Sequence, residues 1–419
     1  MMLMLGLFLV VVALIFLRQP IIVILIAVLA YSYYFFSDSA LRFLVLDAWG
    51  ALNKEVLLSI PLYLLAGNIM SRGSMAKRIT DLLRELTCFI PGGLALSALL
   101  ACAIFAAMSG SSTVTLLAVG SVLYPALIAE GYPKRLSIGL LCAAGTLGII
   151  IPPSIPLILY GVMTKVSIVD LFVAGFGPAL VLTSLMAVYV LIVCRHMPRK
   201  AYSGELWVSF KNGILALLTP VLVLGGIYSG YVTATEAAVV AVFYALLVQM
   251  LIYRDMNFRD LKDTIIDTSH LIGSLFPVLM LAVCLNMFLT YQQLPDQLVA
   301  YLGQYLQTPL SFLLSANILL LLVGSIIDIG SAILILAPLL KPIATSLGFD
   351  PVHFGIMMIV NLEIGYLTPP LGLNLIVAMA AFKEDFWEIC KAAIPFILLM
   401  LIGLILVAMF PMISLYFVS

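Results

Sequence analysis

Two short stretches of the chain would leave backbone oxygens without helical partners. They read Gly145-Thr146-Leu147-Gly148-Ile149-Ile150-Ile151-Pro152-Pro153-Ser154 and Gly365-Tyr366-Leu367-Thr368-Pro369-Pro370-Leu371-Gly372. A Pro-Pro pair removes two amide donors and disfavours helix at the residue before it, which frees carbonyls upstream. Freed carbonyls with a nearby hydroxyl make a hard-oxygen cage suited to Na⁺, and half-helix N-termini at the same depth offer amides to an anion. Each stretch follows a polar interruption of apolar sequence, Ser109-Gly110-Ser111-Ser112-Thr113 before the first and Gly324-Ser325-Ile326-Ile327-Asp328-Ile329-Gly330-Ser331 before the second. Small residues can serve helix packing alone, yet five small or polar residues in a row exceed what packing needs.

Three carboxylates belong to the same inventory: Glu236, Asp328 and Glu363 lie in or beside apolar segments. Charges at membrane depth are expensive and mark functional positions. Glu236 follows Thr233-Ala234-Thr235 at a helix start and reads as a capping residue. Asp328 can cap a helix and face a ligand at once, while Glu363, two residues before the second break, can be structural or functional. Nothing resembles an enzyme, for the chain has no nucleotide-binding glycine motif, HExxH or GxSxG. The cysteines Cys88, Cys102, Cys142, Cys194, Cys284 and Cys390 are scattered singly and read as small buried hydrophobes, and the three histidines are equally isolated.

The elements that hold these residues follow from composition. Of 419 residues, 64% are hydrophobic and 10% charged, with a mean hydropathy of +1.23. A soluble domain carries about 25% charged residues, so soluble enzymes, disordered chains and nucleic-acid binders are excluded, and the chain is an all-α polytopic membrane protein. Continuous rather than alternating apolar runs exclude an outer-membrane barrel. The first run, Met1 to Leu17, lacks a basic leader and reads as a retained helix.

Sliding the sequence by 217 residues superposes Pro125 on Pro342, Gly131 on Gly348, Gly148 on Gly365, and Pro152-Pro153 on Pro369-Pro370. Helices are expected near 1–17, 20–36 and 56–71, with an amphipathic arm over 75–88 whose apolar stripe is Ile79, Leu82, Leu83 and Leu86. Their counterparts lie near 214–229, 233–253 and 270–290, with an arm near 294–306, and helices near 168–195 and 388–417 close the halves. The stretches 92–130 and 309–347 can each be one kinked span or a re-entrant hairpin. Charge placement favours hairpins. With two hairpins and ten crossings the halves are inverted, and only Arg42, Lys54, Lys165 and Lys341 of the 20 basic residues fall opposite the rest. That is a strong positive-inside bias.

The pieces Ala106-Ala107-Met108-Ser109-Gly110-Ser111-Ser112, Gly148-Ile149-Ile150-Ile151-Pro152-Pro153-Ser154 and Gly365-Tyr366-Leu367-Thr368-Pro369-Pro370 carry a family resemblance. Over essentially its whole length the chain resembles the large membrane (permease) subunit of tripartite ATP-independent periplasmic (TRAP) transporters. The resemblance implies an inverted-repeat elevator of the ion-transporter superfamily in the bacterial or archaeal inner membrane. It implies sodium symport of organic acids, such as C4-dicarboxylates or sialic acid, delivered by a periplasmic substrate-binding protein. A separate small four-helix membrane subunit is the implied partner. One Na⁺ would sit between the first tip (Ser109, Ser112) and Gly145, Thr146, Gly148, Ile149 and Ile151. A second would sit between Gly324 and Gly365 to Thr368. Ser109 or Ser111, with Ser154, Asp328 and Asn374, would face the substrate.

Residues 92–167 and 309–386 would then form the moving transport domain, and 1–91, 168–308 and 387–419 the scaffold, with the arms in the lipid interface. No intramembrane lysine or arginine is available to pair with a carboxylate, so amides, hydroxyls and bound cations would hold it. A passive channel and an intramembrane enzyme are the rival readings, and the polar inventory at depth is too thin for the second.

Overall fold

The computed structural model describes the chain except residues 1, 18, 37–41, 198, 200–203, 295–296, 298, 300–307 and 419. The described residues form helices joined by short turns and contain no strand. An outer group comprises α1 (Met2–Phe16), α2 (Ile21–Phe35), α3 (Arg42–Leu52), α4 (Ser59–Arg72), the arm α5 (Met75–Thr87), α11 (Leu206–Tyr228), α12 (Ala234–Leu246) and α13 (Phe258–Tyr291). The two polar interruptions are turns of helical hairpins, α6 (Gly93–Ser109) with α7 (Ser112–Ala129) and α14 (Pro309–Gly324) with α15 (Ile329–Ser346). The two proline pairs divide α8 (Lys134–Thr146) from α9 (Ile155–Thr164) and α16 (Pro351–Gly365) from α17 (Leu373–Phe382). Both proline–proline bonds are cis. Helices α10 (Ile168–Val193) and α18 (Phe386–Met409) follow the broken helices, and the short α19 (Met412–Leu415) ends the fold.

Seven described helices are long and apolar enough to cross a membrane, against ten expected crossings. The seven include α7 and α15, the second legs of the hairpins. Helices α1, α2 and α4, expected to cross, have 15, 15 and 14 residues, and the halves of the broken helices are no longer than these, so none of them is among the seven. The arm bends away from α4 by 64°. It buries Ile79, Leu82 and Leu83 as its periodicity requires, but Leu86 is exposed. The second arm, near 294–306, lies largely outside the described residues.

Helix boundaries differ where a cap overrides hydropathy. The helix expected near 270–290 starts at Phe258, because Asn257 and Asp260 form a capping box in polar sequence ahead of the apolar run. Glu236 forms a capping box with Thr233, as expected. Helix α3 lies between the helices expected near 20–36 and 56–71 and is held by Tyr33, whose hydroxyl donates to Asp47 Oδ2 at 2.5 Å. All six cysteines are buried and free.

Polar contacts tie the outer helices to one another. Gln249 reaches the carbonyls of Ile69 and Met70, and Asn68 donates to Thr268 at 2.9 Å. Helices α10 and α18, expected to be scaffold, pack on the broken helices. A Cβ built on Gly139 of α8 would lie 2.0 Å from the Ala392 carbonyl oxygen on α18, an approach that only glycine permits. Tyr189 of α10 meets Phe396 of α18 edge-on at 5.3 Å, and His353 of α16 bonds Ser414 at 2.6 Å. Basic residues assigned to one side gather in ion pairs, among them Arg72–Asp267, Arg78–Asp255 and Lys134–Glu384. Lys54 and Lys165, assigned to the other side, share a separate cavity.

Candidate functional site

The first tip rests on the first break. Gly110 adopts φ 61° in the tight turn between α6 and α7, and its carbonyl accepts from Ile155 N at 3.4 Å. A side chain here would collide with the Pro153 carbonyl, 2.5 Å from a built Cβ. Three oxygens cluster at the turn. Ser109 Oγ lies 2.8 Å from Thr115 Oγ1, and the Ser111 carbonyl accepts from Thr115 Oγ1 at 2.8 Å and from Ser109 Oγ at 3.3 Å. Gly148 faces this cluster. A Cβ there would lie 2.8 Å from the Ser111 oxygen and 3.0 Å from Thr115 Oγ1, so the glycine leaves room for oxygens beside the break. The donor set is hydroxyl and carbonyl, the chemistry a hard monovalent cation takes.

Thr115 is the member of this cluster that sequence reading missed. Its signal is its position four residues after Ser111, one helical turn along α7, which brings its side chain back onto the turn. Gly145 packs on Leu116, its built Cβ 3.0 Å from Leu116 Cβ, and Ile151 is buried with its amide donating to Leu147 O at 2.9 Å. Ser154 is fully buried and serves locally: it accepts from Leu157 N as the cap of α9 and donates to the Ile149 carbonyl. It is not among the residues that line the cleft described below; the resemblance has it facing the substrate.

The second tip meets the second break glycine to glycine. A Cβ on Gly365 would lie 2.6 Å from the Gly324 carbonyl carbon. The Ser325 carbonyl accepts from Leu371 N and Gly372 N at 3.2 and 3.4 Å, and Tyr366 Oη accepts from Ile329 N at 3.1 Å. Thr368 is half-buried, donating to Ile364 O at 2.9 Å. Asp328 caps α15 by accepting from Ser331 N at 2.9 Å and remains exposed at the tip. Ser325 and Tyr366 sit inside quoted motifs, but no local rule marks them as the contacts between tip and break.

Both tips open onto one cleft of about 320 Å³. Ser111, Ser112 and Thr113 line it from the first tip, Asp328 and Gly330 from the second, and Ile149 and Tyr366 from the breaks. Leu64 of α4 and Leu271, Ser274 and Leu275 of α13 close it from the outer group. Among the described residues no lysine or arginine lines it. Larger cavities of about 680 and 760 Å³ lie elsewhere, among Lys77, Arg78 and Arg84 and among Lys54 and Lys165; neither includes a tip or a break. Asn374 is fully buried and does not line the cleft. It accepts from Ser112 Oγ at 2.6 Å and donates to Cys142 O at 3.2 Å. Gly145, Gly148, Gly324 and Gly365 are likewise buried around the tips, as is Thr146, whose hydroxyl lies 2.7 Å from both Ala143 O and Glu363 Oε1.

Apposed hairpins and broken helices around a shared cleft, within an all-helical multi-pass membrane protein, are the arrangement of a membrane transport protein. Residues 8–413 match the family described as tripartite ATP-independent periplasmic transporter, DctM component, and the chain belongs to this TRAP transporter large-permease family. Large subunits of the family work with a small membrane subunit and a periplasmic binding protein. The chain is 40% identical to the C4-dicarboxylate TRAP transporter large permease protein of Pseudomonas aeruginosa, covering 91% of this chain and 90% of that one. It is 37% identical to the 2,3-diketo-L-gulonate large permease of Escherichia coli, covering 82% of each. It is 31% identical to the ectoine large permease of Halomonas elongata, covering 89% and 88%. The fold is similar to the YdaH transporter of Alcanivorax borkumensis, with a TM-score of 0.66 at 17% identity over 88% of each chain.

Proposed function

We propose that this chain is the Na⁺-coupled large subunit of a transporter that carries a carboxylate across the inner membrane, taking it from a periplasmic binding protein. The observation that supports this reading is the single cleft shared by Ser111 and Asp328, with a break behind each tip and no basic side chain in the lining. An anion held there needs positive charge from elsewhere. Helix N-termini at Ser112 and Ile329 and cations on the tip oxygens are the available sources. The oxygen cluster at Ser109, Ser111 and Thr115 suits one Na⁺, and the Gly324–Gly365 contact with Thr368 suits a second.

The moving unit in this reading is an elevator built of the two hairpins and two broken helices together with α10 and α18, since those two helices pack on the broken helices. The outer group is the fixed part. A C4-dicarboxylate is the first cargo to test, by likeness to the Pseudomonas protein, with sialic acid as another carboxylate.

The test is uptake into proteoliposomes holding this chain and its small partner, supplied with binding protein and candidate acids. Concentrative uptake that requires an inward Na⁺ gradient is expected, and a variant with Ser109, Ser111 and Ser112 changed to alanine should lose it while still assembling. Downhill flux indifferent to Na⁺ would instead mark a passive channel.

A further inference from the structure

Thr146 and Glu363 occupy the same position of the two halves at the offset of 217, and they touch: Thr146 Oγ1 lies 2.7 Å from Glu363 Oε1. Both residues are fully buried. The Thr146 hydroxyl has one proton and two acceptors at equal distance, Glu363 Oε1 and Ala143 O, while Glu363 Oε2 has no partner at all. The threonine stands between Gly145 and Gly148 of the first break, and the glutamate stands two residues before Gly365 of the second. This hydrogen bond joins the first break to the last turn of the helix that leads into the second. Other polar links cross between the halves elsewhere: Ser112 to Asn374 joins a hairpin to the second broken helix, and Tyr160 to the Pro351 carbonyl joins α9 to α16.

We propose that the Thr146–Glu363 hydrogen bond couples the two cation sites, so that filling one lowers the cost of ordering the other. The inference rests on the Na⁺ reading above. The regular helical ladder ends at each break, leaving a single 3₁₀ turn with a few short-range bonds, Ile151 N to Leu147 O in the first and Thr368 N to Gly365 O in the second. A cation that fixes the carbonyls of 145–151 also fixes Thr146, and through the hydrogen bond it fixes Glu363 and the turn that carries Gly365. The second cation then meets backbone that has already lost its freedom, which is positive cooperativity through shared ordering. Coupling of this kind is reciprocal, so either ion can bind first. In an apolar body a hydroxyl–carboxyl contact transmits position well, because the alternative for both groups is an unpaired polar atom. Glu363 touches no cation in this scheme; it is a positioning residue.

The experiment is initial uptake against Na⁺ concentration in the reconstituted transporter, for the wild type, Thr146→Val, Glu363→Leu and Glu363→Gln. Wild-type uptake should rise sigmoidally, with a Hill coefficient above 1. Thr146→Val and Glu363→Leu should bring the coefficient toward 1 and raise half-saturating Na⁺ roughly tenfold. Glu363→Gln keeps the accepting oxygen and should keep the wild-type coefficient. Should Glu363→Leu fail to assemble, Thr146→Val, which is nearly isosteric, carries the result. An unchanged Hill coefficient in Thr146→Val overturns the coupling even if affinity falls, because that pattern marks the loss of a local ligand. Glu363→Gln behaving like Glu363→Leu also overturns it, as does a wild-type coefficient of 1. Uptake that needs no Na⁺ in the wild type would overturn the Na⁺ reading itself, a result distinct from Na⁺-dependent uptake without cooperativity.

Discussion

Ser112 on the first hairpin donates to Asn374, at 2.6 Å across 262 residues of sequence. The Asn374 amide donates onward to the Cys142 carbonyl at 3.2 Å, so one buried side chain from the second half ties the first tip to the first broken helix. Replacing it by alanine removes both bonds and strands the Ser112 hydroxyl, a loss of about 1–3 kcal/mol for each buried polar group left unpaired. Asn374→Ala should lower the thermal midpoint of the purified complex and slow uptake. A midpoint and rate equal to wild type would show that this tie is idle.

Gly148→Ala should abolish Na⁺-dependent uptake without preventing assembly. The added methyl would lie 2.8 Å from the Ser111 oxygen, inside the space the cation reading requires. Gly225→Ala is the control, since nothing lies within 4 Å of its added Cβ and alanine is the better helix former. Comparable uptake by the two variants would contradict the placement of the first site.

At the second tip, substitution severity should be asymmetric. A Cβ on Gly365 meets the Gly324 carbonyl carbon at 2.6 Å, whereas one on Gly324 meets its nearest atom, a Leu362 methyl, at 3.2 Å. The Cβ on Gly324 also meets the Gly365 and Leu362 Cα atoms, but at 3.3 Å, where a shift of a few tenths of an ångström relieves the contact. Gly365→Ala should therefore lose transport and Gly324→Ala should retain part of it; the reverse order in an uptake assay would refute the tip–break contact.

Thr115→Val tests the residue the sequence did not mark. It keeps the shape and removes the oxygen that faces Ser109 and the Ser111 carbonyl. Half-saturating Na⁺ should rise roughly tenfold, as for a lost interaction of about 1.4 kcal/mol, while substrate affinity at saturating Na⁺ stays near wild type. Unaltered Na⁺ dependence would remove Thr115 from the site.

The loop between α17 and α18 predicts a pH effect. Hydrogen bonds from Lys134 and then Tyr124 hold the Glu384 carboxyl below its ordinary range. A depressed carboxylate contributes stability above its unfolded value of about 4.3, and that contribution is lost as pH falls through the lower folded value. Melting curves of wild type and Glu384→Gln in detergent should differ at neutral pH and converge in acid. A constant difference from pH 7 to 3 would contradict the assignment.

The hairpin turns and broken helices were legible because glycine and proline act on their immediate neighbours. Ser109-Gly110-Ser111 and the two proline pairs dictate local backbone wherever the chain goes, and offset repetition marked them as a pair. The packing of α10 and α18 was not legible, for a uniformly apolar helix shows no face that tells lipid from protein. Ser154 and Asn374 had the right composition for a binding role, yet their neighbours engage them as a cap and a tie. Asp328, placed between two readings by its sequence, caps α15 and lines the cleft.

By itself, then, the sequence determined that the chain lives in lipid as helices interrupted at four polar or proline-bearing points, since hydropathy and backbone chemistry are local properties. Only the tertiary structure decided which oxygens meet. Thr115 joins Ser109 because α7 folds back on α6, and Thr146 reaches Glu363 because the two breaks lie side by side. Contacts between residues far apart in sequence depend on the relative placement of helices, and no local preference encodes it.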